Sequence, residues 1–303
     1  MELSSLLFSE DKSIGVREHL IQALATFEVV NPGPQNPTWY FLFDWAEGNL
    51  SDFWKSNSHL VRDHNHLPWM ARQFHGLTKA LKCVHNERTE TIKSFDIQKK
   101  PNSNTLYGRH GDINATNFLW FPSEPLPGIF SLADFGLGRL HRQVSRSIQN
   151  PNLTARTATY RPPEVDLKTP FISRISDIFS LGCVFLEYVT WFFGGFEGLE
   201  NSAKDRTALD IHGFAADTFF TSHRDVADLE RQFFIKESVR VLIQRLKTDP
   251  DCTTYLSQLL DIIGDKMLEP DHSKRMNTVL LEKEMELLSR ACEDEPDFYT
   301  TKN

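Results

Sequence analysis

Residues 108–121 read Gly-Arg-His-Gly-Asp-Ile-Asn-Ala-Thr-Asn-Phe-Leu-Trp-Phe. This string sets a carboxylate at Asp112, an amide at Asn117, and then a short apolar run from Phe118 to Phe121. A carboxylate in a loop can orient and deprotonate a hydroxyl, and side-chain oxygens of both types suit a hard cation. Asp and Asn in loops also commonly cap turns. The string therefore gains its meaning from what flanks it.

Downstream, Asp134-Phe135-Gly136 follows Asn117 by 17 residues, inside Leu-Ala-Asp-Phe-Gly-Leu-Gly-Arg. Thr157 to Glu164 reads Thr-Ala-Thr-Tyr-Arg-Pro-Pro-Glu, and Asp177 opens the apolar run Ser-Asp-Ile-Phe-Ser-Leu-Gly-Cys-Val-Phe-Leu-Glu. Arg275 ends Leu-Glu-Pro-Asp-His-Ser-Lys-Arg. Upstream, Phe43 to Leu50 reads Phe-Asp-Trp-Ala-Glu-Gly-Asn-Leu.

In this order, the segments resemble the eukaryotic protein kinase family of the serine/threonine type. Tyr107–Asp112 and Val189–Gly195 are similar to protein kinases of filamentous fungi. The resemblance implies transfer of the γ-phosphate of ATP to protein Ser or Thr hydroxyls, with Mg²⁺. It makes Asp112 the catalytic base and Thr157 a hydroxyl that contacts it. Asn117 and Asp134 become the metal ligands. Phe135 would pack against the site, and Gly136 would let the chain turn. Phe43 becomes the residue at the back of the adenine site; Asp44, Ala46 and Leu119 become cofactor-binding. Asp177 would tie down the backbone of the catalytic loop, and Arg275 would form a buried ion pair with Glu164.

Three departures stand against this pattern. Neither Gly-x-Gly-x-x-Gly-x-Val nor Val-Ala-Ile-Lys precedes Phe43. Glu2–Leu6 resembles the helix whose Glu pairs the ATP-anchoring lysine, so the chain is expected to begin after both elements, as an incomplete or degenerate kinase. Asn114 stands where such kinases carry a phosphate-neutralising Lys. Losing one preorganised contact of that kind costs about 3–4 kcal/mol, although Asn can still donate a hydrogen bond. Gly111 replaces the Arg that would receive a phosphorylated activation loop, so phosphorylation of Ser145, Ser147, Thr154 or Thr157 is expected not to switch activity by that route.

The rest of the sequence bounds the reading. The chain has 303 residues, 40% of them hydrophobic, and 23 are Phe, enough for a large core. A net charge of −8 argues against broad attraction to nucleic acid or anionic membrane. Cys83, Cys183, Cys252 and Cys292 are scattered, which favours a reducing compartment, cytoplasm or nucleus. Leu181–Phe192 is the most apolar stretch and is too short to span a bilayer.

Apolar runs at His19–Val30 and Thr38–Ala46, joined by a Pro/Gly/Asn turn, predict a hairpin. Met70, Phe74, Leu77, Leu81 and Val84 predict an amphipathic helix over 67–85. Asn86–Leu106 reads as a polar loop, Phe118–Phe121 and Gly128–Phe135 as a second hairpin, and His141–Thr159 as a long loop of the functional or mobile kind. The chain after Asp177 reads as helical, and the acidic tail from Glu293 as frayed.

The expectation is an α+β, protein kinase-like fold with strands first and helices after. A truncated β-rich small lobe and hinge would occupy residues 1–46, a mainly helical large lobe 47–290, and a tail 291–303. The implied partner is a protein substrate or a partner protein. Two rivals remain. Small-molecule kinases of the aminoglycoside or choline type share the His-Gly-Asp string but lack the Pro-Pro-Glu segment and its Arg275. A catalytically impaired pseudokinase acting as a binding scaffold would explain the missing front end and Asn114.

Overall fold

The computed structural model describes residues 18–29, 38–86, 108–124, 126–134, 159–210, 213–224 and 231–301. Glu2–Leu6, the polar loop beyond Asn86, Phe135, Gly136, Thr157 and nearly all of His141–Thr159 lie outside them.

The first hairpin pairs strand β1 (Ala23–Val29) antiparallel with β2 (Thr38–Phe43). Its two faces are open: Leu24, Phe27, Trp39, Tyr40, Phe41 and Leu42 are all exposed. So dense an exposed apolar patch is unusual for a finished surface. Just before it, residues 18–21 run along a different sheet. Leu132 N–H donates to His19 O (2.8 Å), and Ile21 N–H donates to Leu132 O (2.9 Å).

Strand β3 (Gly48–Asn49) leads into helix α1 (Leu50–Ser56) through a capping box. Asn49 Oδ1 accepts from Ser51 N (2.9 Å), and Asp52 Oδ2 accepts from Asn49 N (3.1 Å). Helix α2 (Leu67–Asn86) follows, with Met70, Phe74, Leu77, Leu81 and Val84 buried as its stripe requires. Strands β4 (Phe118–Ser123) and β5 (Leu126–Leu132) form the second hairpin, and β3 joins it as the order β3-β4-β5. Aromatic rings fill the space between this sheet and the helices. Phe53, fully buried, meets Phe130 at 5.0 Å, Trp120 at 5.2 Å and Trp191 at 5.7 Å between centroids.

Helix α3 (Arg174–Arg206) is the central post, buried continuously from Ser176 to Phe193. It bends at Gly195, whose φ of 62° belongs to the left-handed region. By length and composition this helix could cross a membrane, contrary to the reading of its apolar stretch as too short. However, 89% of its most apolar window is covered by the protein itself, which makes it a core helix.

The chain beyond α3 is not helical throughout, and the strands-first order is corrected there. Two small hairpins follow: β6 (Ala208–Leu209) with β7 (Ala215–Ala216), and β8 (Phe220–Arg224) with β9 (Arg231–Ile235). Their aromatic residues do the packing; Phe219 and Phe220 are buried, and Phe220 meets Phe233 edge-on at 5.7 Å. Helices α4 (Glu237–Lys247), α5 (Thr254–Ile262) and α6 (Thr278–Asp294) complete an α+β fold. The tail is not frayed: a last turn, α7 (Pro296–Tyr299), brings Phe298 to within 6.3 Å of the buried Tyr255 ring.

Candidate active site

The candidate site is built on the loop between Gly108 and β4, and α3 anchors it. Asp177, in the first turn of α3, is 2% exposed and takes three hydrogen bonds. His110 N–H donates to its Oδ2 (2.9 Å), Gly111 N–H to its Oδ1 (2.8 Å), and His85 Nε2 reaches its Oδ2 (2.9 Å). Burial pushes the Asp177 carboxyl up, but the His85 bond and the backbone N–H of His110 outweigh it and hold the group below its ordinary value. A charge so satisfied is a rigid clamp. Gly111 is held at φ 84°, a conformation open to glycine without strain.

His110 links this loop to β5. Asp112 N–H donates to its Nδ1 (3.2 Å), so the ring proton sits on Nε2 and is donated to Ala133 O (2.9 Å). Complete burial lowers the His110 pKa and keeps the ring neutral. Ala133 N–H in turn donates to Asn117 O (2.9 Å). The residue before Asp134 is thus tied to both His110 and Asn117.

The structure brings Asp112 and Asn117 together directly. Asn117 Nδ2 donates to Asp112 O (2.7 Å) and Asp112 Oδ2 (3.3 Å), which fixes the orientation of the amide and leaves Oδ1 as its free acceptor. Asp134 is exposed, with φ 61°, a left-handed conformation uncommon outside glycine and concentrated at functional sites. The Asn117 amide oxygen and the Asp134 carboxylate are both hard-oxygen donors. Magnesium takes one or two protein oxygens and completes its shell with phosphates and water. An amide oxygen and a carboxylate are donors of the type that magnesium takes.

Asp44 and Ala46 lie in the extended stretch between β2 and β3. Glu47 N–H donates to Trp120 O (3.0 Å), and Asn49 pairs with Leu119, so this stretch is stitched to β4 beside Leu119. Phe43 is 38% exposed rather than enclosed. Thr157 lies outside the described residues.

Asn114 departs from its expected part. It caps the Ala115–Asn117 turn, its Oδ1 accepting from Thr116 N (3.0 Å) and Thr116 Oγ1 (2.6 Å), and its Nδ2 donating to Asp112 O (3.2 Å). The donor that was expected to replace part of a lysine's function is turned inward. Sequence reasoning also missed His85 and Thr278, whose Oγ1 lies 3.2 Å from His85 Nδ1. A lone His near the end of a helix gives no local signal of such a role.

The second anchor is the ion pair of Arg275 with Glu164, at 2.9 and 3.1 Å. Both side chains are essentially inaccessible. Ser176 Oγ also donates to Glu164 Oε1 (2.7 Å), and Arg275 donates to Glu269 O (2.8 Å) and Ile175 O (3.0 Å).

No protein-family profile matches the chain. Among curated proteins, it is similar to cyclin-dependent kinase E-1 of Arabidopsis thaliana, 27% identical over 154 residues, which is 50% of this chain and 28% of that protein. It is also similar to a serine/threonine-protein kinase of Yarrowia lipolytica, 38% identical over 132 residues, 40% of this chain and 18% of the relative. A probable cyclin-dependent kinase 8 of Dictyostelium discoideum is 32% identical over 103 residues, covering 33% and 27% of the two chains. The matched segments span less than a third of each of these relatives. With the ordered motifs and the α+β architecture, these partial matches make the chain similar to eukaryotic protein kinases.

Proposed function

We propose that this chain is the catalytic region of a serine/threonine protein kinase, with residues 47–290 as its large lobe and residues 1–46 as part of the small one. The observation that carries the reading is the clamp of Asp177 on the His110 and Gly111 N–H groups, which presents Asp112 and Asn117 together. Preorganisation of this kind is what phosphoryl transfer requires of a protein.

In this reading Asp112 orients the substrate hydroxyl and accepts its proton as the new oxygen–phosphorus bond forms. The bond between the γ-phosphorus and the β,γ-bridging oxygen breaks, and ADP leaves. Asn117 Oδ1 and the Asp134 carboxylate would hold magnesium, which neutralises phosphate charge. The Asp44 carbonyl, the Ala46 N–H and Leu119 would meet the adenine, and Thr157 would steady Asp112. The four cysteines are free, in keeping with a reducing compartment. The test is transfer of radiolabelled phosphate from ATP to casein. Asp112→Asn should abolish transfer, and undiminished transfer by that variant would remove Asp112 from the mechanism.

The inward-turned Asn114 favours a second reading, a binding scaffold that retains the fold with little chemistry. A protein that binds Mg-ATP yet transfers no phosphate would fit it.

A further inference from the structure

The strands between α3 and α4 were not foreseen, and they grip one stretch of chain. Thr159, Tyr160 and Arg161 are three consecutive residues, and each is hydrogen-bonded to this insert or to the helix beside it. Thr159 Oγ1 donates to Asp217 Oδ1 (2.6 Å). Tyr160 OH donates to Glu187 Oε2 (2.6 Å), while Arg206 Nη2 bonds the other oxygen of Glu187 (2.9 Å) and Arg206 Nε bonds Asp217 O (3.1 Å). Arg161 Nη2 sits 3.0 Å from Asp166 and 3.5 Å from Asp210. Lys236, at the end of β9, donates to Arg206 O (2.6 Å) and Ala216 O (3.1 Å), so the brace closes on itself.

We propose that this insert holds the segment Thr159–Asp166 in place by its own carboxylates, with Asp217 and Asp210 as positioning residues, so that no phosphate is needed to order it. This deepens the proposed kinase function and rests on it for the segment's importance. One further observation points the same way. The guanidinium of Arg161 is already met by two carboxylates, so a phosphate arriving there would have to displace Asp210 and Asp166. The three anchors also lead directly into Glu164, itself fixed by Arg275, so the segment is held at both ends.

The experiment is amide hydrogen exchange on the full chain carrying Asp217→Ala, Thr159→Val, both together, or Asp217→Asn. The single variants Asp217→Ala and Thr159→Val should each speed exchange across 159–166 by about tenfold or more, with the helix at 67–86 unchanged, as local opening demands. The double variant should add little, because one bond is lost either way. Asp217→Asn, which keeps the acceptor oxygen, should restore most of the protection. Mg-ATP should raise the melting temperature equally in all four; a missing rise in the unaltered protein counts against the kinase reading, not against the brace. Where casein is phosphorylated, its KM should rise in Asp217→Ala while the KM for ATP stays fixed. Unchanged exchange at 159–166 in both single variants, additive effects in the double, or equal loosening at 67–86 would overturn the proposal.

Discussion

Glu164 and Arg275 stand 111 residues apart in the chain and meet through two parallel hydrogen bonds, of 2.9 and 3.1 Å, with no access to water. The pair joins the segment after Tyr160 to the loop before α6, and Arg275 adds bonds to Glu269 O and Ile175 O. Breaking such a pair leaves an uncompensated buried charge, at a cost of about 3–5 kcal/mol. Arg275→Met should therefore lower stability by that amount in urea unfolding. A loss below about 1 kcal/mol, the range of exposed pairs, would show that the pair is solvated.

Acid should weaken the fold well above the pH at which carboxylates titrate. Burial lowers His19 and His66 to about 4 in the folded protein. Unfolded histidine titrates near 6.5, so between about 6.5 and 4 the unfolded chain binds protons that the folded chain refuses. Stability then falls as pH drops through that window and levels off below it. The loss relative to pH 7.5 is about 2 kcal/mol for each histidine at pH 5. Asp177, held below its ordinary value, loses its contribution as pH falls further through its folded pKa. Equal urea midpoints at pH 7.5 and pH 5.0 would contradict this.

Gly76, in α2, is the notch that receives His19. A Cβ there would lie 2.0 Å from His19 Nε2, and His19 Nδ1 is bonded to Phe130 O at 2.8 Å, so the ring cannot simply turn away. Gly76→Ala should cost about 1–3 kcal/mol, as overpacking does, despite the better helix propensity of alanine. Its check is the melting temperature, which a tolerated substitution would raise.

Asn114→Lys exchanges an inward cap for a mobile cation. Losing the cap costs about 1 kcal/mol. If the chain transfers phosphate, the restored charge should raise the rate by up to about 10²–10³. A measured rate that falls or stays flat would show that a cation at position 114 does not meet the phosphate.

Much of this was legible because the motifs are local. His110 to Asn117 folds as one loop, and the α2 stripe at Met70, Phe74, Leu77, Leu81 and Val84 is buried as its periodicity requires. The Glu164–Arg275 pair and the role of Asp177 followed from a resemblance, since nothing in periodicity joins residues so far apart. The β6–β9 insert was hidden by its brevity: two of its strands have only two residues. The signal for the other hairpin was present, as Phe219-Phe220-Thr221 and Phe233-Phe234-Ile235 flank a charged stretch of sequence. Where side-chain hydrogen bonds decide a role, as at Asn114, residue type alone misleads, because the same amide can face the ligand or cap its own loop.

The measurement that bears most directly on the kinase reading is a thermal-shift titration with Mg-ATP, run beside Asp134→Ala. A ligand that binds only the folded state must raise the melting temperature in proportion to the logarithm of its excess over Kd. The account predicts a magnesium-dependent rise that disappears in Asp134→Ala. No rise at millimolar Mg-ATP, or the same rise in the variant and without magnesium, would contradict it.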